Sequence, residues 1–188
     1  MIKMLRVDHR LLHGQVAVSW KSALDVDCIL VANDSVPGDA LRKSAIKLAK
    51  PADTKLVIKT IEDSITAINS GKTDKYKLFI VVESIADAAR LCRECGIKHL
   101  NLGGTKATAE TRAISKAMNV TPAEEETLRA LVSEGVDAAH DRETSPKTRH
   151  EGPIGAWAGD VCASGTGLAY AQRGGEGPPL EICRKEHR

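Results

Sequence analysis

Five short apolar runs alternate with segments whose apolar residues recur every three or four positions. The runs cover residues 2–7, 28–32, 54–58, 78–82 and 97–102. Their length and their content of Val, Ile and Leu read as strands, and the uninterrupted ones, 28–32 and 78–82, read as strands covered on both faces. The spaced segments put Val16, Trp20 and Leu24 on one helix face, and likewise Leu41, Ala45 and Leu48, then Ile61, Ile65 and Ile68, then Ile85, Ala89 and Cys92. Leu128, Leu131 and Val132 form the last such face.

The helix boundaries are written in the same stretches. Asp39 precedes the second helical segment, which ends before Pro51; Thr60 with Asp63 and Ser84 with Asp87 open the third and fourth. Thr121-Pro122-Ala123-Glu124 supplies an N-cap, a first-turn proline and a capping-box acid in order. Gly71, Gly96 and Gly135 follow three of the helices as terminators. Alternation of strand and helix over this span predicts an α/β fold, a single domain with an open, mostly parallel sheet and helices on both faces.

The densest chemistry lies in the first strand-to-helix connection, where Asp8-His9-Arg10-Leu11-Leu12-His13-Gly14-Gln15-Val16 brings two histidines, a carboxylate and a guanidinium together. In a parallel sheet such a connection lies at the carboxyl edge, where ligands bind. The first amides of a helix have no partner inside it and point toward anions, and Gly14 lets backbone approach without a Cβ in the way. Arg10 can add a planar, charge-assisted contact to phosphate oxygens. His13 then stands where a phosphoryl group would be held, and a hydrogen bond to one ring nitrogen, from Asp8 or from backbone, would free the other for attack. Gly14 and Gln15 are the phosphate-binding candidates beside it.

His9 and His13 are four apart, a helical metal-ligand spacing, yet Arg10 stands where a zinc peptidase needs its glutamate and no third ligand is evident. No metal and no cofactor are expected. Other candidates follow later strands. Asn33 and Asp34 either shape the pocket or make a turn, and Ser84 reads as a cap before it reads as a pocket residue. Gly103 and Gly104 permit a tight turn or a close approach to a ligand. His99 reads as a half-buried structural residue.

Overall properties narrow the classes. The formal net charge is +2 over 188 residues, with acids and bases mixed, so no nucleic-acid footprint is expected. No apolar run approaches the roughly 20 residues needed to span a bilayer, and no secretory leader is read at the start. Five cysteines form no regular framework, which favours a reducing cytosol. Cys92 and Cys95 make a Cys-x-x-Cys, but they share the face of Ile85 and Ala89, so core packing is the expectation for them.

The loop from Asp8 to Val16 resembles the phosphorylation loop of the IIB subunits of the mannose/fructose/sorbose family of the bacterial phosphoenolpyruvate-dependent sugar phosphotransferase system. The similarity continues through Val31-Ala32-Asn33-Asp34, Asn101-Leu102-Gly103-Gly104 and Ile114-Ser115-Lys116-Ala117, to about Val136. The resemblance implies a phosphocarrier: His13 accepts a phosphoryl group on Nδ1 from a phosphohistidine of a IIA partner. It then passes the group to the primary hydroxyl of a hexose or amino sugar during uptake through membrane IIC and IID partners. It assigns the loop arginine to Arg10, shifts Gly103 and Gly104 toward the pocket, and puts the hydroxyl of Thr105 beside them. It also implies a strand within 113–120, a sheet with one antiparallel strand near the end, and a cytoplasmic protein attached peripherally to the membrane through IIC and IID. A homo-oligomer is left open. Leu11 and Leu12 are expected to divide, one outward at the docking face and one in the core.

Two other classes compete. A nucleotide-binding or receiver-like module is disfavoured because the first strand ends without an acidic pair and no glycine-rich phosphate loop follows it. A regulatory protein that keeps the fold but no longer supports transport is the other, and it draws on the end of the chain. The phosphotransferase domain is assigned to 1–137 and an atypical tail to 138–188, where a final strand was due. There Ile154, Val161, Leu168, Leu180 and Ile182 are scattered without period among Gly, Pro, Ala and Arg. Such a segment cannot bury enough apolar surface to offset ordering costs of about 1–2 kcal/mol per residue, so it is expected to be largely disordered, or ordered only by packing on a neighbour, and a foreign tail would leave the domain short of an edge strand. The abrupt change in character points to a frameshifted or replaced terminus.

Overall fold

A computed structural model of the chain describes residues 1–140. Six strands form one parallel sheet in the order β3-β2-β4-β1-β5-β8. They are β1 (Ile2–Asp8), β2 (Cys28–Ala32), β3 (Lys55–Lys59), β4 (Leu78–Val82), β5 (His99–Gly104) and β8 (Asp137–His140). The helices are α1 (Gly14–Leu24), α2 (Ala40–Leu48), α3 (Ile61–Asn69), α4 (Ile85–Cys95) and α5 (Pro122–Ser133). A separate two-stranded antiparallel ribbon joins β6 (Arg112–Ala113) to β7 (Asn119–Val120).

The central strands β2 and β4 are buried at every position, which is why their sequences show no alternation. Ile29, Val31, Phe79 and Val81 pack under α1 and α2 with Val16, Ala17 and Ile46. Leu5, Val7, Leu30, Ile80 and Val82 pack on the opposite face under α3, α4 and α5. Cys92 is in this second core and Cys95 packs against it, both as free thiols. Burial pushes the Cys92 thiol up to about 11.

The caps form where the residue types place them. Asp39 accepts from the amides of Leu41 and Arg42, Thr60 from Asp63 and Ser84 from Asp87, while Thr121 and Glu124 complete a reciprocal capping box. Such a cap is worth typically about 1 kcal/mol.

Several expectations need correction. Leu41 and Leu48 are 82% and 88% exposed, and Ile46 is the buried residue of α2. Ile46 joins the core cluster of Ile29, Val31, Phe79 and Val81, and the side of the helix that carries Leu41 and Leu48 faces solvent. Val132 is also part-exposed, leaving Leu128 and Leu131 as the contacts of α5. His99 is exposed, with Nδ1 3.7 Å from a carboxylate oxygen of Asp137.

The strand expected within 113–120 is instead the pairing of Arg112–Ala113 with Asn119–Val120, outside the main sheet, and the main sheet is parallel throughout its described pairs, with no antiparallel strand near its end. An edge strand does form: Asp137, Ala138, Ala139 and His140 pair with His99, Leu100, Asn101 and Leu102. Small residues are sufficient here because the pairing is carried by backbone, and Ala138 is 2% exposed. Sheet pairing therefore continues to His140, and the rest of the expected tail lies outside the described residues.

The two kinds of apolar residue should separate on substitution. Phe79 is fully buried against Trp20, with ring centroids 6.1 Å apart. In urea denaturation, Phe79→Ala is expected to lose about 3–5 kcal/mol, whereas Leu48→Ser should stay within about 0.5 kcal/mol of the parent.

Candidate functional site

The sheet order places β1 beside β4, but their onward connections diverge. From β1 the chain crosses through α1 to β2 on one side, and from β4 it crosses through α4 to β5 on the other. The carboxyl ends of β1 and β4 thus flank a switch point, the place where open α/β sheets leave a crevice. The loop from Asp8 to His13 leaves the sheet there.

A tight turn starts the loop. The amide of Leu11 donates to the carbonyl of Asp8 at 2.8 Å, and Leu11 adopts φ 57°, in the left-handed region. That conformation costs a branched residue roughly 1–2 kcal/mol, while full burial of a leucine side chain returns about 1.5–3 kcal/mol. Leu11 is fully buried and Leu12 is 3% exposed. Neither projects outward, contrary to expectation, because both are used to pin the turn against the core under α1.

The turn presents Asp8, 1% exposed, to three nitrogen groups. Its Oδ1 accepts from the Arg10 amide at 3.1 Å and lies 3.7 Å from Arg10 Nε. Its Oδ2 lies 3.3 Å from His13 Nε2 and accepts from an Arg6 terminal nitrogen at 3.4 Å. The Arg10 side chain is 62% exposed and that of His13 24% exposed. His13 is the N-cap of α1 by position but makes no capping bond with its side chain. A Cβ placed on Gly14 would meet nothing within 4 Å, so open space adjoins the first turn of the helix. The backbone of Gln15 lies in that same turn.

Arg6 is the residue the sequence pattern did not flag. It is 4% exposed and alternates with Leu5 and Val7, so it points to the α1 side of the sheet. Its guanidinium donates to Asn101 Oδ1 at 2.5 Å and lies 5.3 Å from the centroid of the Trp20 ring. Gly103 makes this possible: a Cβ there would sit 2.1 Å from Arg6 Cζ. The register between β1 and β5 slips at this point, with Val7 opposite Leu102 but Asp8 opposite Gly104. An irregularity with glycine at a site of close approach is the usual form of a bulge. The available signal was a charged residue at an inward strand position, with Asn101 and Gly103 two apart on another strand.

The remaining candidates are placed differently. Gly104 accepts from the His9 amide at 2.9 Å through its carbonyl and would hold a Cβ 3.4 Å from the Ala117 carbonyl. Thr105 uses its hydroxyl on the backbone of Asn119, donating to the carbonyl and accepting from the amide. It therefore ties β5 to the ribbon. Asn33 accepts from Ser35 and Val36 and donates to Glu83 at 2.6 Å, and Arg42 donates to the same carboxylate at 3.1 Å. Asp34 accepts from the amide of Ile61 at 2.8 Å, joining β2 to α3. Ser84 caps α4. These groups share the carboxyl edge with the loop but brace one another. Among the described residues, no cluster of three or more His, Cys, Asp or Glu could hold a metal ion, and no helix is long and apolar enough to cross a membrane.

An open parallel α/β sheet with a carboxylate-held histidine at a helix N-terminus, on the switch-point loop, defines a doubly wound domain with its polar cluster at the carboxyl edge. The family model described as the sorbose-subfamily IIB component of the phosphotransferase system matches residues 2–146, and the chain belongs to that family. The sorbose-specific EIIB component of Klebsiella pneumoniae is 26% identical over 136 residues, covering 72% of this chain and 83% of that protein. The fructose-specific EIIB component of Bacillus subtilis is 28% identical over 137 residues, with the same shares.

A "Probable phosphotransferase enzyme IIB component" of Streptococcus pyogenes is 38% identical over 94 residues, half of this chain and 58% of that protein. In the mannose-specific EIIAB component of Escherichia coli the match spans 42% of the relative's length. The crystal structure of the sorbose permease IIB domain of Klebsiella pneumoniae shares the fold, with a TM-score of 0.78 at 22% identity over 87% of this chain and 99% of that one. An N-acetyl-galactosamine IIB component of Streptococcus pyogenes gives a TM-score of 0.73 at 27% identity, over 83% and 96% of the two chains.

The glycine pair offers a direct check on the packing around Arg6. Gly103→Ala forces the buried guanidinium to move and is expected to lose about 1–3 kcal/mol in urea denaturation. Gly104→Ala meets only a contact at 3.4 Å and should lose less than Gly103→Ala in the same measurement.

Proposed function

We propose that the protein is a phosphocarrier in which His13 accepts a phosphoryl group from a IIA phosphohistidine and transfers it to a sugar taken up through IIC and IID partners. The observation that carries this reading is the 3.3 Å contact between His13 Nε2 and Asp8 Oδ2, on a loop that opens onto the first turn of α1. A carboxylate accepts and does not donate, so it selects the tautomer with the proton on Nε2. The lone pair of the neutral ring then lies on Nδ1, in agreement with the nitrogen that the family resemblance implies.

In the transfer step the Nδ1 lone pair forms a bond to phosphorus while the donor's P–N bond breaks. The electron pair of that bond returns to the donor ring. His13 becomes an N-phosphorylated imidazolium that keeps its Nε2 proton, and Asp8 faces the positive charge as it develops. A buried aspartate does the same for an imidazolium in hydrolase triads. The backbone amides of Gly14, Gln15 and Val16 and the exposed guanidinium of Arg10 would hold the equatorial oxygens, so transfer relies on positioning and charge stabilisation. No step in this scheme needs a metal or cofactor.

In the second half of the cycle a sugar hydroxyl attacks phosphorus, the P–N bond returns its electrons to Nδ1, and the hydroxyl proton passes to water. Sorbose, fructose, mannose and N-acetyl-galactosamine appear in the names of similar proteins, which supports a ketose, hexose or amino-sugar substrate. A protein carrying this loop would work in the cytoplasm against the membrane partners.

Incubation with phosphoenolpyruvate, the general phosphotransfer proteins and a IIA component should yield an acid-labile phosphate on the peptide containing His13, read by intact mass and peptide mapping at neutral to alkaline pH. His13→Ala should take up none. Label on another histidine would overturn the site, and no label on the folded parent would overturn the carrier role. Arg10→Ala removes a charged contact of about 1.5–3 kcal/mol and is expected to slow transfer roughly 10- to 100-fold in a quench-flow assay.

A further inference from the structure

Four residues from three elements converge on Arg6: Asp8 on its own strand β1, Asn101 and Gly103 on β5, and Trp20 on α1. Asp8 approaches from the same strand at 3.4 Å and Asn101 from β5 at 2.5 Å. The Trp20 ring of α1 lies at 5.3 Å, and the backbone of Gly103 gives up the space of a side chain to it. A guanidinium is a poor choice where only volume is needed, because removing it from water is costly unless its charge and geometry are used. Here both are used on the atom that matters: Asp8 Oδ2 faces Arg6 and His13 at once.

We propose that Arg6 is a positioning residue that acts on His13 through Asp8. It fixes the direction of the Oδ2 oxygen and balances the charge of the enclosed carboxylate, so that the His13 ring is held by Nε2 and offers Nδ1. Both arginines face the Asp8 carboxylate, Arg6 at Oδ2 and Arg10 at Oδ1, so His13 shares Oδ2 with Arg6. Without Arg6 the carboxylate can rotate toward the Arg10 amide and side chain, which contact its other oxygen. The His13 ring then loses the constraint that distinguishes its two nitrogens. The planar fork is needed to serve Asn101 and Asp8 from separate terminal nitrogens, so lysine would restore the charge and only part of the geometry.

The nitrogen used for phosphorylation rests on the carrier reading above, but the tautomer of the unphosphorylated ring does not. Two measurements on the full chain therefore separate the two ideas. Long-range ¹H–¹⁵N spectra of the His13 ring should show the Nε2–H tautomer in the parent and a mixture in Arg6→Gln, with Arg6→Lys between them. After incubation with the phosphoryl donor system, ³¹P spectra should show phosphate on Nδ1 in the parent and a resolved Nε2 fraction in Arg6→Gln. Its transfer should be about tenfold slower, as for loss of one charged hydrogen bond. An unchanged tautomer in Arg6→Gln, or a single Nδ1 signal with a rate within about twofold of the parent, overturns the role of Arg6. No phosphorylation of the parent overturns the carrier reading alone, and the tautomer comparison still decides on Arg6. Should the Arg6 variants lose their cooperative melt, Asn101→Ala loosens the guanidinium without removing its charge and takes the same two tests. The expected result is again a mixed tautomer, and a parent-like spectrum overturns the proposal.

Discussion

The contact on which the local structure depends is the one made by the Asp8 carboxylate. It is enclosed at the end of a central strand and receives the Arg10 amide on one oxygen, with Arg6 and His13 at the other. A carboxylate removed from water must find such partners, and taking one member from a buried charged pair typically costs about 3–5 kcal/mol. The turn, the buried leucines and the start of α1 are arranged around that requirement. Leu11 accepts a left-handed backbone because its side chain is fully buried in the same step.

The sheet supplies the rigidity that this contact needs. Strand β1 is paired on both sides, by β4 and β5, so Asp8 emerges from backbone held on two edges. The partner groups arrive on different elements: Asn101 and Gly103 from β5, Trp20 from α1. Their relative positions are set by parallel pairing and by the packing of α1 over Phe79. The loop that carries the histidine thus exposes the Arg10 side chain and is fixed at its base through Asp8. The braces made by Asn33, Glu83 and Arg42, and by Asp34 on α3, close the neighbouring part of the same edge.

Membership of the sorbose-subfamily IIB family agrees with this architecture. The strand at Asp137–His140 extends the domain to a sixth strand despite its small side chains. Edge pairing uses backbone donors and acceptors, which Ala138 and Ala139 offer as well as a larger aliphatic would. The change in composition after Val136 therefore did not mark the end of the sheet pairing, which continues through Asp137–His140.

Much of the fold could be read from residue order because its signals are local. The continuous apolar runs of β2 and β4, the caps at Asp39, Thr60, Ser84 and Thr121, and the histidine loop each act within a few residues. The sequence by itself determined these elements and the identity of the acid, base and cation in the loop. Only the tertiary structure decided which face of α2 is buried, that both Leu11 and Leu12 turn inward, and that Thr105 ties β5 to the ribbon. It alone showed Arg6, which is 95 residues from Asn101 in the chain yet shares a hydrogen bond with it. Helix periodicity names an apolar face but not the surface it will meet, and a strand's alternation does not name its neighbour. Those depend on sheet order, which contacts between distant segments set and no local pattern encodes.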